Sequence, residues 1–315
     1  MNIYTLQKLN KLIKSERLKN AALLVLHVLH RRYLSVYFNP VLACNLRCKS
    51  CYFSNDVERA KLKGVFKEED IPAIGRAVFS RTLRLQIGCG AEPTLFKYND
   101  QLIKLAKQAG VKYVSITTNA NLLTHEMVQT YLAAGLDEIT ISVHGVQKTS
   151  YENLMVNGVY EKFHEALAHI AEVKKQYPNF KLRLNYTINH LNVEELKDFF
   201  EVYGVYNFDI LQLRALRNIG GELKAVDLSP AFWAHLKAAL ALLEQQCKQR
   251  GILYLEPNDF VNATEREIEL EAPNIAYAYI SPSSFIEPDF DWRNETFTQF
   301  ARRTAYTSKL FRRLL

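Results

Sequence analysis

The sequence CNLRCKSC occupies residues 44–51 and follows an apolar, β-prone run at residues 36–38. Its cysteines, Cys44, Cys48 and Cys51, recur at intervals of four and three residues. Thiolates are soft ligands that select iron–sulfur clusters or zinc, so cysteines at this spacing on one loop can share an inorganic centre. A structural centre normally has four protein ligands, whereas three leave one metal position open for a substrate or cofactor. The spacing therefore predicts a reactive centre.

The pattern Cys-x-x-x-Cys-x-x-Cys resembles the motif of the radical S-adenosylmethionine (SAM) enzymes. The resemblance implies a [4Fe-4S] cluster bound by Cys44, Cys48 and Cys51, whose fourth iron chelates SAM. It also implies reductive cleavage of SAM, by an electron donor such as flavodoxin or ferredoxin, to a 5'-deoxyadenosyl radical that abstracts hydrogen from a substrate. Relatives carry an aromatic residue just before the third cysteine, where this chain has Ser50, with Tyr52 after the motif. The catalytic residue of the substrate reaction and its outcome stay open.

A different centre is compatible with the same spacing. A zinc site completed by a distant His or Cys, or three unrelated buried cysteines, would also place these residues at these intervals. This alternative predicts a zinc-stabilised binding or regulatory protein without catalysis. Only five cysteines are present in the chain, so the auxiliary clusters of many peptide-modifying relatives are not expected.

The length of the chain is sufficient for an enzyme. Its 315 residues suffice for a core that needs no disulfides. Clustered cysteines without a secretory signal pattern predict a reducing, cytoplasmic location. The apolar run at residues 21–29 is too short to span a bilayer.

The formal net charge of +7 is concentrated at the two ends of the chain. Residues 1–35 hold one acid, and the last fourteen residues interleave arginine and lysine with leucine, tyrosine and phenylalanine. Such ends suit an anionic membrane surface, an acidic substrate or nucleic acid, and equally suit solvated helices packed on a domain. Peripheral contact with the inner membrane surface is therefore one prediction. The candidate substrates are a lipid-linked or surface-polymer precursor, a peptide or another small molecule. RNA is a further option, although no RNA-binding module is visible.

From residue 36 onward, short apolar runs alternate with amphipathic helical stretches, which predicts βα units on a parallel sheet. Six units are countable, and the resemblance implies a partial (β/α)6 TIM-like barrel with an N-terminal helical extension and a C-terminal helical or irregular extension. The expected division is 1–35 for a basic helical extension, 36–228 for the core and 229–315 for a C-terminal extension packed on it. Predicted strands lie at 36–38, 83–87, 113–117, 138–143, 182–188 and 208–213. Asn192 and Glu195 resemble a capping box for a helix ending at Tyr203.

Residues just after the strands are candidate ligands, because parallel βα folds bind ligands at the carboxyl ends of their strands. The stretch GCGAEP at residues 88–93 resembles the Gly-Gly-Glu-Pro segment of the radical SAM family, and Glu92 there is expected to bind the SAM ammonium group. Asn119, after the third strand, resembles a residue lining the cofactor pocket and also suits a helix-entry turn. Ser142 resembles the position that contacts the SAM ribose or carboxylate. His144 is a candidate for substrate binding or proton transfer.

Two polar residues alternate with apolar ones on the fifth strand. Arg183 and Asn185 therefore share one face and are predicted to meet a carboxylate or ribose. Arg214, after the sixth strand, is a candidate for an anionic group, although a surface ion pair is the commoner reason for such a residue. Cys247 lies on the apolar face of a predicted helix that starts at Pro230, which indicates a core position.

Overall fold

The computed structural model describes residues 4, 12–216, 219–223, 229–257 and 276–312. Several of the terminal basic residues, among them Lys8, Lys11 and Arg313, lie outside the described residues. The predictions made for them stay predictions.

In the part of the chain that the structure describes, the centre is one open sheet of nine strands, ordered β7-β6-β5-β4-β3-β2-β1-β8-β9. All neighbours are parallel except β8 and β9, which form an antiparallel pair. The strands are β1 Leu34–Phe38, β2 Thr82–Ile87, β3 Tyr113–Thr118, β4 Glu138–Val143, β5 Lys181–Ile188, β6 Ile210–Ala215, β7 Leu253–Leu255, β8 Tyr277–Ser281 and β9 Ser284–Phe285. The predicted α/β class with a partial, unclosed barrel is confirmed.

Helices alternate with strands along the chain, as the βα pattern predicts. They are α1 Glu16–Val28, α2 Asp56–Lys61, α3 Asp70–Ile74 continued by a π-turn Gly75–Phe79, α4 Asn99–Gln108, α5 His125–Ala133, α6 Lys148–Leu154, α7 Tyr160–Lys174, α8 Phe199–Tyr203, α9 Pro230–Gln249, α10 Phe297–Arg303 and α11 Tyr306–Arg312. Ser229 caps α9, its side chain accepting from the Phe232 amide. Cys247 is buried in α9, so its predicted core position is confirmed.

The two faces of the sheet have opposite character. Residues such as Val36, Ile116 and Ile139 are fully buried on the helix-covered face, and each contributes about 1.5–3 kcal/mol of hydrophobic stabilisation. The other face lines the barrel interior and is polar: Arg84 pairs in register with Ser35, and Gln86 with Tyr37. A polar interior leaves room for a hydrated, polar ligand.

Strands β7, β8 and β9 were not predicted. They have only three, five and two residues, so each offers too short an apolar run to predict a strand. Strand β8 pairs with β1 and β7 pairs with β6, so both edges of the six-stranded core are extended by chain from beyond residue 229. Short edge strands depend on the ladder offered by a partner strand, which a local pattern does not reveal.

The predicted capping box is wrong. The Asn192 side chain donates to the carbonyls of His144 and Thr187, and Glu195 accepts from the amides of Val146 and Gln147. A 3-10 helix, Val193–Asp198, occupies this position before α8. Both side chains are used instead to fix the loop after β4, where burial makes a tertiary hydrogen bond stronger than a local one.

The two basic ends of the chain are adjacent in space. Helix α1 packs against α11, and His27 in α1 contacts both Thr307 through Nε2 (3.2 Å) and the Tyr306 ring (centroids 5.5 Å). Burial, with Arg81 close by, lowers the pKa of His27 to about 4, so this imidazole is neutral at pH 7. Within the described ranges, no helix has the length and apolar character needed to cross a bilayer.

Candidate active site

A cavity of about 550 Å³ opens at the carboxyl ends of the parallel strands. It is bounded by the cysteine loop after β1, the glycine loop after β2 and the ends of β3 to β6. Its size lies within the range of small-molecule sites, and its position is the one that parallel βα folds use for ligands.

The three cysteines of the loop all line this cavity as free thiols. Backbone hydrogen bonds fix the loop: the Arg47 amide donates to Val156 O (2.8 Å) and the Lys49 amide to Leu154 O (3.0 Å). The Arg47 guanidinium donates to Cys44 O (2.8 Å). These bonds attach the loop to the end of α6 and to the residues just after it. The two segments are far apart in sequence, so the sequence did not predict this contact.

Burial controls the protonation of these thiols. It raises the pKa of Cys44 to about 12 and raises the pKa values of Cys48 and Cys51 as well. The apo thiols are therefore protonated at pH 7, and metal binding must release their protons. Among the described residues no three His, Cys, Asp or Glu are grouped around a single metal ion; in a [4Fe-4S] cube each cysteine binds a different iron, so its ligands do not share one point.

Asn119 connects the cysteine loop to the end of β3. Its Nδ2 donates to Asn45 Oδ1 (2.9 Å) and to Cys44 Sγ (3.8 Å), and its Oδ1 accepts from the Asn121 amide (3.0 Å). The sequence left open whether Asn119 lines the pocket or starts a helix-entry turn; in the structure its side chain accepts within that turn and also lines the cavity. A donor aimed at a ligand sulfur is one of the groups by which proteins set the reduction potential of an iron–sulfur cluster.

Glu92 is 2% exposed and its carboxylate is held by four donors. Oε1 accepts from the Thr94 amide (3.1 Å), Thr94 Oγ1 (2.6 Å) and Thr118 Oγ1 (2.6 Å), and Oε2 accepts from the Asn119 amide (2.9 Å). Burial raises the pKa of Glu92, and these hydrogen bonds oppose the rise. Oε2 has a single donor, so one lone pair remains for a ligand in the cavity that Glu92 lines.

The glycine loop is positioned by Asn39, which the sequence analysis did not single out. Asn39 Oδ1 accepts from the amides of Cys89 (2.9 Å) and Gly90 (3.2 Å). Gly88 has φ +76°, and a Cβ there would lie 2.5 Å from Thr117 O, so no other residue fits. The sequence signal that could have identified Asn39 is its position, because it is an amide side chain directly after a predicted strand.

A second glycine segment packs on the cysteine loop and was also missed. The Ile219 amide donates to Ser50 O (3.2 Å) and the Leu223 amide to Lys49 O (2.8 Å). A Cβ at Gly221 would lie 2.3 Å from Lys49 O and 2.5 Å from the Cys51 amide nitrogen. The Gly220-Gly221 pair shortly after β6 was the available signal for this close approach.

We therefore expect Gly221→Ala to displace the cysteine loop and lower the iron bound per chain at least about tenfold, the scale of losing a supporting contact at a metal centre. Iron analysis after anaerobic reconstitution measures this. Gly204→Ala is the matched control, since its Cβ would meet nothing closer than 3.6 Å. Equal iron in the two variants would show that the glycine contact does not shape the loop.

Ser142, His144 and Asn185 all line the cavity, and Ser142 and Asn185 are in register on β4 and β5. Asn185 is 7% exposed, and its Oδ1 has no hydrogen-bond partner. A buried acceptor without a donor costs about 1–3 kcal/mol, so a ligand that donates to it is favoured. Burial lowers the pKa of His144 to about 4, which keeps its imidazole neutral at pH 7.

Arg183 is a correction to the predicted site. It shares the inner face with Asn185 as expected, but it lies nearer the amino end of β5 and is not part of the cavity lining. Its Nη2 pairs with the fully buried Glu138 (3.0 Å) and its Nη1 donates to Gln212 Oε1 (3.0 Å). Tyr4 contacts both members of the ion pair. The guanidinium of Arg183 therefore pairs with the carboxylate of Glu138, because a buried charge without a partner is very unfavourable.

Two further polar side chains line the cavity. Arg214 was predicted to follow the sixth strand, but it is the penultimate residue of β6; its side chain is exposed and lines the cavity. The exposed thiol of Cys89 lines the cavity as well.

The cavity fits a cluster and a polar cofactor. It is lined by three soft donors on one loop, by a carboxylate with a spare lone pair and by an unpaired buried amide oxygen. The sequence model of the radical SAM superfamily matches residues 38–202, more than half of the chain. The chain belongs to the radical SAM superfamily. As a member, it is an enzyme that uses a [4Fe-4S] cluster and SAM.

Curated radical SAM relatives match over part of their length. The chain is 29% identical over 178 residues to a probable GTP 3',8-cyclase of Sulfolobus acidocaldarius, covering 56% of this chain and 54% of the relative. A probable GTP 3',8-cyclase of Metallosphaera sedula gives the same identity and coverage. The chain thus spans about half the length of the curated relatives it matches.

Solved radical SAM structures confirm the fold. Streptococcus suis SuiB bound to S-adenosylmethionine superposes with a TM-score of 0.61 at 16% identity, over 84% of this chain and 62% of that one. Native anSMEcpe with bound AdoMet gives 0.53 at 17% identity, over 71% and 63%. The zinc-protein alternative is set aside by the family membership.

Proposed function

We propose that Cys44, Cys48 and Cys51 bind the cluster of this radical SAM enzyme and that Glu92, Asn119, Ser142 and Asn185 bind SAM beside it. The observation that carries the proposal is that all seven residues line one cavity, although they come from five different segments of the chain. Arg183, first predicted to be among them, is left out because it is engaged with Glu138.

Each residue has a defined part. The bound cluster and SAM together supply the one-electron chemistry that generates a 5'-deoxyadenosyl radical. Glu92 accepts from the SAM ammonium group through Oε2, while Asn119 donates towards Cys44 Sγ and orients the loop. Asn185 Oδ1 accepts from a ribose hydroxyl, and Ser142 lies next to it in the same layer of the barrel. Neutral His144 is available as a proton acceptor on the substrate side.

The test is anaerobic reconstitution with iron and sulfide, followed by reduction in the presence of SAM. A brown protein that forms 5'-deoxyadenosine supports the proposal, and a colourless zinc protein without product contradicts it. Radical SAM enzymes require a reductant, and flavodoxin or ferredoxin is the proposed donor.

For the substrate, we favour a lipid-linked or surface-polymer precursor reached at an anionic membrane. The supporting observation is that α1 and α11, one from each basic end, pack together and expose apolar side chains: Leu18, Val25, Val28, Leu29 and Phe311. Lys14, Arg17 and Arg31 are exposed beside them. Apolar and basic side chains on one surface are the combination that binds anionic interfaces.

Vesicles test this surface. We expect the double substitution Leu18→Glu with Val25→Glu to weaken co-sedimentation with phosphatidylglycerol vesicles at least about tenfold, since two apolar contacts are lost and two negative charges gained. Val205→Glu, 74% exposed and outside the helix pair, is the control. Wild-type protein that stays in the supernatant would favour the second candidate, a peptide substrate; SuiB was solved bound to the precursor peptide SuiA.

A further inference from the structure

The interior face of the sheet carries a group of aromatic side chains that the SAM site does not use. Tyr277 and Tyr279 on β8 pair in register with Ser35 and Tyr37 on β1, so these side chains share the face that lines the barrel. The Tyr37 and Tyr277 rings are stacked, with centroids 4.2 Å apart and planes at 17°. Tyr277 is 49% and Tyr279 is 41% exposed. The stack therefore offers open ring faces on the inside of the barrel.

A cation lies against this stack. Arg84 neighbours Ser35 in the ladder, and its guanidinium carbon is 6.0 Å from the centroid of the Tyr37 ring. Its Nη2 donates to Gln86 Oε1 (2.9 Å), and its buried Nε has no hydrogen-bond partner. Within the ranges that the structure describes, Arg84 forms no ion pair with a carboxylate. By contrast, Arg183 on the same face of the sheet is neutralised by Glu138.

Hydrogen bonds connect this region to residues that line the SAM cavity. Gln86 Nε2 donates to Thr117 Oγ1 (3.3 Å) and to Gly88 O (3.5 Å), and both Thr117 and Gly88 line the cavity. Just after the carboxyl end of β1, Asn39 Nδ2 donates to Tyr279 Oη (2.9 Å). Asn39 is also the residue that positions the glycine loop. The tyrosines and Arg84 are therefore linked to the cavity lining through Asn39 and Gln86.

We propose that Tyr37, Tyr277, Tyr279 and Arg84 form a substrate subsite that binds a ring bearing an anionic group, with the ring on the tyrosines and the anion on the guanidinium. Tyrosine faces stack on aromatic rings and pack equally on the apolar faces of sugar rings. A partly buried guanidinium with only neutral partners gains a charge-assisted hydrogen bond from a phosphate or carboxylate. Partial burial, reinforced by Tyr37, raises the pKa of Tyr277, so its phenol stays neutral and does not repel the anion.

The subsite deepens the proposed function by naming the chemistry of the substrate, and it rests on that function for its role in turnover. Binding is measured by ligand-observed NMR on the reconstituted protein with SAM present. The probes are phenyl phosphate and glucose 1-phosphate, with inorganic phosphate and benzyl alcohol as half-probes. We expect one of the two ring phosphates to bind at least about tenfold more tightly than either half-probe, and the tighter of the two identifies the ring as aromatic or sugar.

Two variants locate the binding. Arg84→Gln and Tyr277→Leu are each expected to weaken it about tenfold or more, because each removes one half of the subsite. Arg293→Gln is the matched control: Arg293 also lies over an aromatic ring, 3.9 Å from the Trp292 centroid, but is paired with Asp70. Binding unchanged by Arg84→Gln, or no binding of either ring phosphate to the wild type, overturns the subsite. Formation of 5'-deoxyadenosine by the same wild-type sample, measured separately, shows whether the proposed function itself holds.

Discussion

Replacement of Cys48 by alanine is expected to abolish both the brown colour of the reconstituted protein and the formation of 5'-deoxyadenosine from SAM. Cys48 lines the cavity between the other two cysteines of the loop. Burial raises the pKa of this thiol, and the neighbouring Cys44 and Cys51 add to the effect. A bound metal centre is therefore needed to keep the three cysteines deprotonated. Because a direct ligand is lost, product formation should fall by more than about a hundredfold, beyond the range for supporting residues.

The control for this experiment is another cysteine of the same cavity. Cys89 is exposed, lines the cavity and belongs to the glycine loop. Cys89→Ser should keep the absorbance of the cluster and the rate of SAM cleavage within a few-fold of the wild type. If Cys48→Ala retains its iron while Cys89→Ser loses it, the assignment of the three ligands is wrong.

Glu92→Gln is expected to raise the KM for SAM by about 10- to 100-fold, the equivalent of one charge-assisted hydrogen bond of about 1.5–3 kcal/mol. The amide has one acceptor oxygen in place of two, and its NH₂ would face either the Asn119 amide or the Thr94 and Thr118 donors. Two donors facing each other should also lower the free energy of unfolding by about 1–3 kcal/mol. Iron content should persist, since Glu92 is not among the proposed ligands.

Thr94→Val separates the two effects. It removes one donor from the same carboxylate while leaving the charge in place, so we expect about 1 kcal/mol of lost stability and a KM for SAM close to that of the wild type. Thermal melting and iron content are measured on both variants first. If Glu92→Gln has a lower melting temperature but the wild-type KM for SAM, Glu92 stabilises the glycine loop and does not bind SAM.

The parts of the site that were predictable are those whose residues are close together in sequence or follow a strong strand. The cysteine triplet, Glu92 and Asn119 lie in the loops that follow the first three strands, and Ser142 and Asn185 lie within the fourth and fifth strands. The apolar runs of these strands were clear, and the parallel-sheet rule brings the residues to one cavity at one edge of the sheet. Whether each binds the cofactor stays a prediction. Asn39 and Gly221 were not predictable as partners of that edge, because each is defined by a contact with a remote loop.

Arg183 shows why a strand pattern alone cannot name a ligand. Alternation placed Arg183 and Asn185 on one face, but a two-residue step along a strand, about 7 Å, moves a side chain from the cavity to the floor beneath it. At the lower level the buried Glu138 carboxylate of β4 pairs with the guanidinium. Asn185, one step higher, keeps an unpaired oxygen in the cavity.

By itself, the sequence determined the α/β class, the six central strands in their order and the cysteine loop at the end of the first, because these follow from local periodicity and from the short spacing of three soft ligands. Tertiary structure alone decided that β7, β8 and β9 extend the sheet, that the two basic ends meet as α1 and α11, and that Arg84 faces the stacked tyrosines. Apart from the short β8–β9 pair, those features join segments about 40 to nearly 300 residues apart. Such contacts depend on the register of strands and the packing of helices, which no local pattern encodes.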